Sequence, residues 1–281
     1  MRYKTHKRIK MSYYTEMIYL GTGSAFGEKN LHTNALITWY KDSTKNSVVY
    51  RLLIDAGSDI KHSLPLAGLS VKDIDGVYIS HQHGDHCGGL ETLGFKSYFD
   101  PTRERKIQLF ISNKLVDDIW NKTMSGGMES LAGKSNTLET YFDVKSIADN
   151  GSFVVLTHRF DLVQMIHIVN DRMVVPAFGL MIESPLGLNW FLTTDTQHNP
   201  NQISEYYNKA DVIIHDCETG FKSGVHAHWT ELATLPLEVR EKIWLSHFTD
   251  DVLDGTRWHD WAAENKFKGF VLPRTTIFDL M

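Results

Sequence analysis

A chain of 281 residues that is 42% hydrophobic can bury a full core within one large domain. Its 29 basic and 34 acidic residues leave a net charge of -5, which speaks against coating long nucleic acid or an anionic membrane. Two cysteines, Cys87 and Cys217, exclude a disulfide framework and fit a reducing, cytoplasmic setting, and no apolar run is long enough to span a bilayer.

Residues 1–16 read as a basic extension (Arg2, Lys4, Lys7, Arg8, Lys10), in which Ser12, Thr15 and Glu16 interrupt the apolar core a signal peptide needs. Residues 17–20 predict a first strand, and Gly21 and Gly23 turn the chain after it. Residues 30–38 and 48–54 read as strands of a meander, joined by a polar hairpin at 42–47 and closed by Ile54-Asp55-Ala56-Gly57. Helical or turn segments at 58–66 and 70–75 lead into the alternating run Gly76-Val77-Tyr78-Ile79-Ser80, a half-buried strand by its pattern. Directly after it, His81, His83, Asp85 and His86 place three imidazoles and a carboxylate within six residues of a glycine-rich turn. Imidazole and carboxylate are donors that zinc, manganese and iron accept, and a strand end brings such donors to one point.

A strand at 106–111 and a helical stretch at 113–122 follow, then a Ser-, Gly-, Met- and Asn-rich segment at 123–137. Together these predict a helical or loop insertion at about 112–148, placed near the mouth of the site. Residues 152–156 and 160–168 alternate like neighbouring strands, and their histidines His158 and His167 compete for the next metal position. Strands at 178–182 and 190–193 come next, the second running into Asp195, and the apolar run 243–246 ends in His247. Between them lie an acid, Asp216 or Glu218, and a histidine, His226 or His228. Thr230-Glu231-Leu232 predicts a helix start, and a histidine at its N-terminus could face a phosphate.

The pattern His-x-His-x-Asp-His at His81, His83, Asp85 and His86 resembles the signature of the metallo-β-lactamase fold, with the likeness running from about residue 17 to the C-terminus. The opening Leu20-Gly21-Thr22-Gly23-Ser24-Ala25 looks like the phosphodiesterase branch, which holds ribonuclease Z and cyclic-nucleotide phosphodiesterases, some encoded by phages. The resemblance implies an α/β fold, an αββα sandwich of two mixed β-sheets flanked by helices, in a single domain over 17–281. It also implies two divalent metal ions, zinc first and manganese second. One would sit on His81, His83 and His167, which the family order favours over His158; the other on Asp85, His86 and His247. Asp195 would bridge them and Asp55 would support the histidines from behind.

The implied activity is phosphodiester hydrolysis, with Asp85 in the metal centre and Asp216 or Glu218 together with His226 or His228 assisting the leaving oxygen. Ribonuclease Z carries a long arm between the strand after its third histidine and the strand leading to the bridging aspartate. Here that connection is only Glu183-Ser184-Pro185-Leu186-Gly187-Leu188-Asn189. A short turn and an acidic balance point to a small nucleotide substrate, 3′,5′-cyclic nucleotides first. The alternatives are an RNA 3′-end endonuclease and a protein that sequesters a nucleotide uncleaved. Homodimerisation and action in the cytoplasm, the host's if the chain is viral, complete what the resemblance implies.

Overall fold

Alternation of β-branched and aromatic residues with polar ones divides the chain into strands. In the computed structural model, which describes residues 13–131, 133–171 and 173–281, these are β1 (Tyr14–Gly21), β2 (Asn34–Tyr40), β3 (Val48–Ile54), β4 (Gly76–Ile79), β5 (Ile107–Ser112), β6 (Ser130–Leu131), β7 (Lys134–Ser135), β8 (Phe142–Ile147) and β9 (Ser152–Val155). The second half adds β10 (His158–Gln164), β11 (Val169–Asn170), β12 (Met173–Val174), β13 (Phe178–Glu183), β14 (Asn189–Leu192), β15 (Val212–Asp216), β16 (Ile243–Ser246), β17 (Gly269–Phe270) and β18 (Ile277–Asp279).

Two seven-stranded mixed sheets result, in the orders β18-β1-β2-β3-β4-β5-β8 and β17-β16-β15-β14-β13-β10-β9. The period of two in each strand decides the layering. In the second sheet, Phe160, Leu162, Leu180, Ile182, Trp190, Leu192 and Ile214 face the core shared with the first sheet. Their neighbours Val163, Met181, Phe191 and Ile213 face a second core, made with Ile203 and Tyr207 of the helix Pro200–Lys209 and Trp258 and Ala262 of the helix Arg257–Glu264. The outer face of the first sheet is covered by the helices Ile60–Leu66 and Leu90–Tyr98. Helix, sheet, sheet, helix is the expected αββα order. Between the sheets Tyr78, Phe110 and Phe160 stack around Phe153, at 5.9, 4.5 and 4.7 Å between ring centroids.

Several boundaries move. The part of the basic extension at 1–12 lies outside the described residues, while Tyr14, Thr15 and Glu16 belong to β1 and pair with β2. The strand expected over 160–168 runs as β10 from His158 to Gln164, so His167 leaves the sheet on an irregular segment. The segment expected as an insertion at 112–148 divides in two. Phe142–Ile147 is the edge strand β8, paired in parallel with β5. The helical turn Leu138–Tyr141 packs over the helix Leu90–Tyr98, where Tyr141 meets Phe95 edge-on at 5.6 Å. None of the segment's described residues lines the cavity that holds His226 and His247.

His158 is a core residue. Trp39 Nε1 donates to His158 Nδ1 at 2.9 Å, and His158 Nε2 donates to the Leu280 carbonyl at 2.9 Å. Burial lowers its pKa from 6.5, outweighing the bond to Leu280 that raises it. The ring is therefore neutral when folded but protonates near 6.5 once the chain unfolds. Its stabilising contribution is complete above pH 6.5 and fades as the pH falls toward the lower folded value. His158→Ala, which leaves a buried donor and acceptor unpaired, is expected to cost about 1–3 kcal/mol in urea unfolding at pH 8. The gap to the unaltered protein should narrow below about pH 6. A gap independent of pH would show that the ring is not buried neutral.

Candidate metal centre

The site collects at strand ends, where side chains leave the sheet without disturbing its ladder. β3 delivers Asp55, β4 delivers Ser80 and His81, β14 runs out to Asp195, β15 ends on Asp216 and β16 delivers His247. The turn Gly84–Cys87 follows β4 at once and buries Asp85 and His86. Three non-glycine residues here adopt left-handed backbone: Asp55 at φ 61°, Thr194 at φ 53° and His247 at φ 63°. That conformation is costly for a β-branched threonine, and it persists because the chain must turn sharply to aim Asp195 inward.

Two donor sets share Asp195. In the first, His83 Nδ1 lies 3.0 Å from His81 Nε2 and 3.2 Å from His167 Nε2. Asp195 Oδ2 stands 3.7 and 3.6 Å from the nitrogens of His81 and His167. In the second, His86 Nε2 is 3.2 Å from both Asp85 Oδ2 and Asp195 Oδ1. His247 Nε2 is 3.8 Å from Asp85 Oδ2 and 3.5 Å from Asp195 Oδ2. His86 Nε2, His247 Nε2 and Asp195 Oδ1 are buried, and their close neighbours lie outside hydrogen-bond geometry. Buried polar atoms are seldom left so. Converging imidazole nitrogens and carboxylate oxygens without partners fit divalent metal.

Groups behind the rings fix which nitrogen points inward. Asp55 Oδ1 accepts the Ser80 N–H, and its Oδ2 accepts the Ser80 hydroxyl and faces His86 Nδ1, each at 2.8 Å. With its proton given to Asp55, Ser80 Oγ can only accept from His81 Nδ1, 3.0 Å away. The Val225 carbonyl accepts from His167 Nδ1 at 2.8 Å, and Thr33 Oγ1 lies 3.1 Å from His247 Nδ1. These four rings thus carry their proton at the back and offer Nε2 to the centre, while His83 faces it through Nδ1.

Burial, with His86 adding to it, holds the His81 pKa well below the usual value. Burial also lowers His83 and His247 and takes His167 down to about 4. These four rings are neutral, the state a metal ligand requires. His86 departs from them: burial pushes it down, but Asp195, Asp85 and Asp55 outweigh that and raise it well above the usual range. Three carboxylates around one ring are an excess of negative charge that asks for a cation.

Beside this cluster, His226 Nδ1 donates to Asp216 Oδ2 at 2.8 Å, and the same oxygen accepts the Thr196 N–H at 2.9 Å. Burial opposes a charge on His226, yet Asp216 prevails and lifts its pKa to about 10. His226 stands 3.9 Å from Asp195. The other candidates for this role do not join them. His228 lies at the start of the helix Trp229–Leu232, with Nδ1 facing Thr230 Oγ1 at 2.7 Å and Nε2 donating to the Gly220 carbonyl at 3.2 Å. Both its nitrogens have partners, so of the two histidines it is His226 that the structure pairs with Asp216. Glu218 Oε2 accepts the Ser223 N–H at 2.8 Å and secures a loop. The hydroxyls of Ser80 and Thr33 and the N–H of Thr196 went unnoticed in the sequence, because a lone Ser or Thr beside a strand carries no periodic signal.

The family profile described as "Anti-Pycsar protein Apyc1" matches residues 15–277. An anti-Pycsar protein Apyc1 of Paenibacillus xerothermodurans is 31% identical over 250 residues, 86% of this chain and 90% of that one. Another, from Bacillus phage vB_BveM-Goe7, is 30% identical over 247 residues, 85% of this chain and 90% of its own. Among solved structures, the metallo-β-lactamase fold protein YhfI of Bacillus subtilis superposes with a TM-score of 0.66 at 16% identity, covering 95% of this chain and 100% of that one. The short form of human tRNase Z gives 0.63 at 15%, with coverage of 95% and 99%. The structural likenesses establish the metallo-β-lactamase fold.

Asp55→Asn keeps an acceptor for the Ser80 N–H and tolerates the left-handed backbone, but removes the charge behind His86. It is expected to weaken metal retention about 10- to 100-fold against a competing chelator, with an unchanged far-UV spectrum. Retention equal to that of the unaltered protein would show that Asp55 does not support the ligands.

Proposed function

Because the chain belongs to the anti-Pycsar Apyc1 family, we infer that it is a metal-dependent phosphodiesterase that hydrolyses 3′,5′-cyclic nucleotides. The observation that carries this reading is the pair of donor sets sharing Asp195 with a His226–Asp216 pair at their edge. His81, His83 and His167 would hold one divalent ion and Asp85, His86 and His247 the other, with zinc the first choice and Asp195 between them. Such ions lower the proton affinity of a water nucleophile and offset charge gathering on the phosphoryl oxygens.

The remaining work falls to the chain. Asp216, anchored by the Thr196 N–H, fixes the His226 ring through Nδ1 and leaves Nε2 free for the cavity that His226 lines. A charged imidazole so placed can protonate the departing ribose oxygen. Asp195 and His247 are almost wholly buried, which limits water and strengthens each charge interaction made there. β13 and β14 meet in a hairpin turned at Gly187, φ 86°, in place of an RNA-gripping arm. That favours cyclic nucleotides over an RNA 3′-end. A full set of reactive groups favours turnover over sequestration. A homodimer acting in the cytoplasm, the host's for a phage-borne copy, goes with this reading.

Two measurements test it. The metal-loaded protein is expected to open cyclic mononucleotides far faster than it cleaves precursor transfer RNA. The reverse order would make it an RNA nuclease. His226→Ala is expected to lower kcat on cyclic AMP about 10²- to 10⁴-fold with metal content unchanged. The loss should be much smaller on a p-nitrophenyl phosphodiester, whose phenolate leaves without a proton. Equal losses on both substrates would remove His226 as the proton donor.

A further inference from the structure

The cavity that opens beside His226 and His247 is about 640 Å³ and is rimmed by two phenylalanines, Phe26 and Phe221. Their relative exposures are 94% and 87%. A large apolar side chain held so far into water is disfavoured unless something covers it. Neither loop is free to fold its phenylalanine away. Asp250 accepts the N–H groups of Glu28 and Lys29 through Oδ2, at 2.8 and 3.0 Å, and that of Asn30 through Oδ1 at 2.8 Å. The Gly27 N–H is bound to the Ser24 carbonyl at 3.0 Å and the Ser24 N–H to the Phe248 carbonyl at 3.1 Å. On the other side, Glu218 holds the Ser223 N–H and His228 holds the Gly220 carbonyl, on either side of Phe221.

Apart from His226, the rim is acidic or neutral. Glu218, Asp250 and Asp251 are among the lining residues, and none of those lining residues is a lysine or arginine. Away from His226, the only charged side chains a second phosphate would meet there are carboxylates, whereas a flat, uncharged ring would meet two aromatic side chains. A nucleotide with its phosphate at His226 and His247 has its base left to reach this rim.

We propose that Phe26 and Phe221 form a clamp that stacks on the nucleobase of a mononucleotide, setting how the substrate lies in the site; this rests on the phosphodiesterase reading above. Stacking needs only a π-face, so the clamp reads the presence of a base and the absence of further phosphates. His228, which the sequence offered alongside His226 for the leaving oxygen, here fixes the turn that carries Phe221.

The test compares adenosine 5′-monophosphate with ribose 5-phosphate, which lacks only the base, by titration calorimetry on the metal-loaded protein. The unaltered protein should bind the nucleotide more tightly. Phe26→Ala and Phe221→Ala should each weaken the nucleotide about 5- to 150-fold. Ribose 5-phosphate affinity and metal content should stay as they are, and Phe26→Trp and Phe221→Trp should retain nucleotide binding. Equal affinity for the two ligands, or unchanged nucleotide affinity in the double alanine variant, overturns the clamp. Loss of an oligomer in sedimentation with nucleotide affinity intact also overturns it, by assigning both rings to a contact between copies. Cyclic nucleotide left intact by a protein that still prefers the nucleotide over the sugar phosphate would sink the phosphodiesterase reading and leave the base contact standing.

Discussion

Asp195 is the point on which the site turns. Its carboxylate is buried, and lies within 3.9 Å of nitrogens from His81, His86, His167, His226 and His247. Burial alone would raise its pKa, yet the His247 and His86 rings beside it hold it far below the ordinary range. A buried carboxylate persists only when charge and geometry repay its desolvation. Every segment that reaches the site therefore has to arrive in register. The left-handed turns at Asp55, Thr194 and His247 are the backbone cost of that requirement. The same demand explains the depth of the second layer. Four of the five histidines in the two donor sets have their outer nitrogen fixed by an identifiable group: Asp55 for His86, Ser80 for His81, Val225 for His167 and Thr33 for His247.

Much of this could be read from the sequence because its parts are local. His81, His83, Asp85 and His86 fall in one turn after one strand, and a run of alternating residues announces that strand. Asp195 and His247 were readable through their places after apolar strands, once the family order gave those places meaning. What could not be read was anything decided by a partner far along the chain. His226 and His228 are two residues apart and chemically identical. They part only because Asp216, ten residues away, takes the first ring, while the second caps a helix and holds the Gly220 carbonyl. Likewise His158 and His167 both follow alternating residues. The difference is that β10 stops at Gln164, which keeps His158 in the ladder facing Trp39 and lets His167 swing out.

The 112–148 segment shows the opposite failure. Its glycines and short polar residues suggested a loop, but Phe142–Ile147 closes the parallel sheet beside β5, and Tyr141 packs against Phe95. Composition described its surface and missed what lay beneath. Parallel pairing leaves no hairpin signature, because the partners are joined through a crossover of helical turns instead of a tight turn. A short edge strand of this kind becomes legible only when its neighbour is in view.

The carboxylates around the cavity bear on the choice between a small and a large substrate more firmly than overall charge does. Asp250 could repel any phosphate brought near it, and the backbone N–H groups of Asn30, Lys29 and Glu28 keep its pKa low against the effect of burial. It remains an anion, facing its own loop. Asp251 is spent on Trp258 Nε1 at 2.7 Å and on Thr249 Oγ1. A groove for RNA needs cations spaced along the backbone, since phosphate neutralisation supplies most of the affinity for a polyanion. This rim spends acidic groups to stiffen two loops and presents aromatic rings where those cations would stand. A ligand with one phosphate, placed at the metal centre, meets no repulsion beyond it; each further phosphate would have to pass Glu218, Asp250 and Asp251.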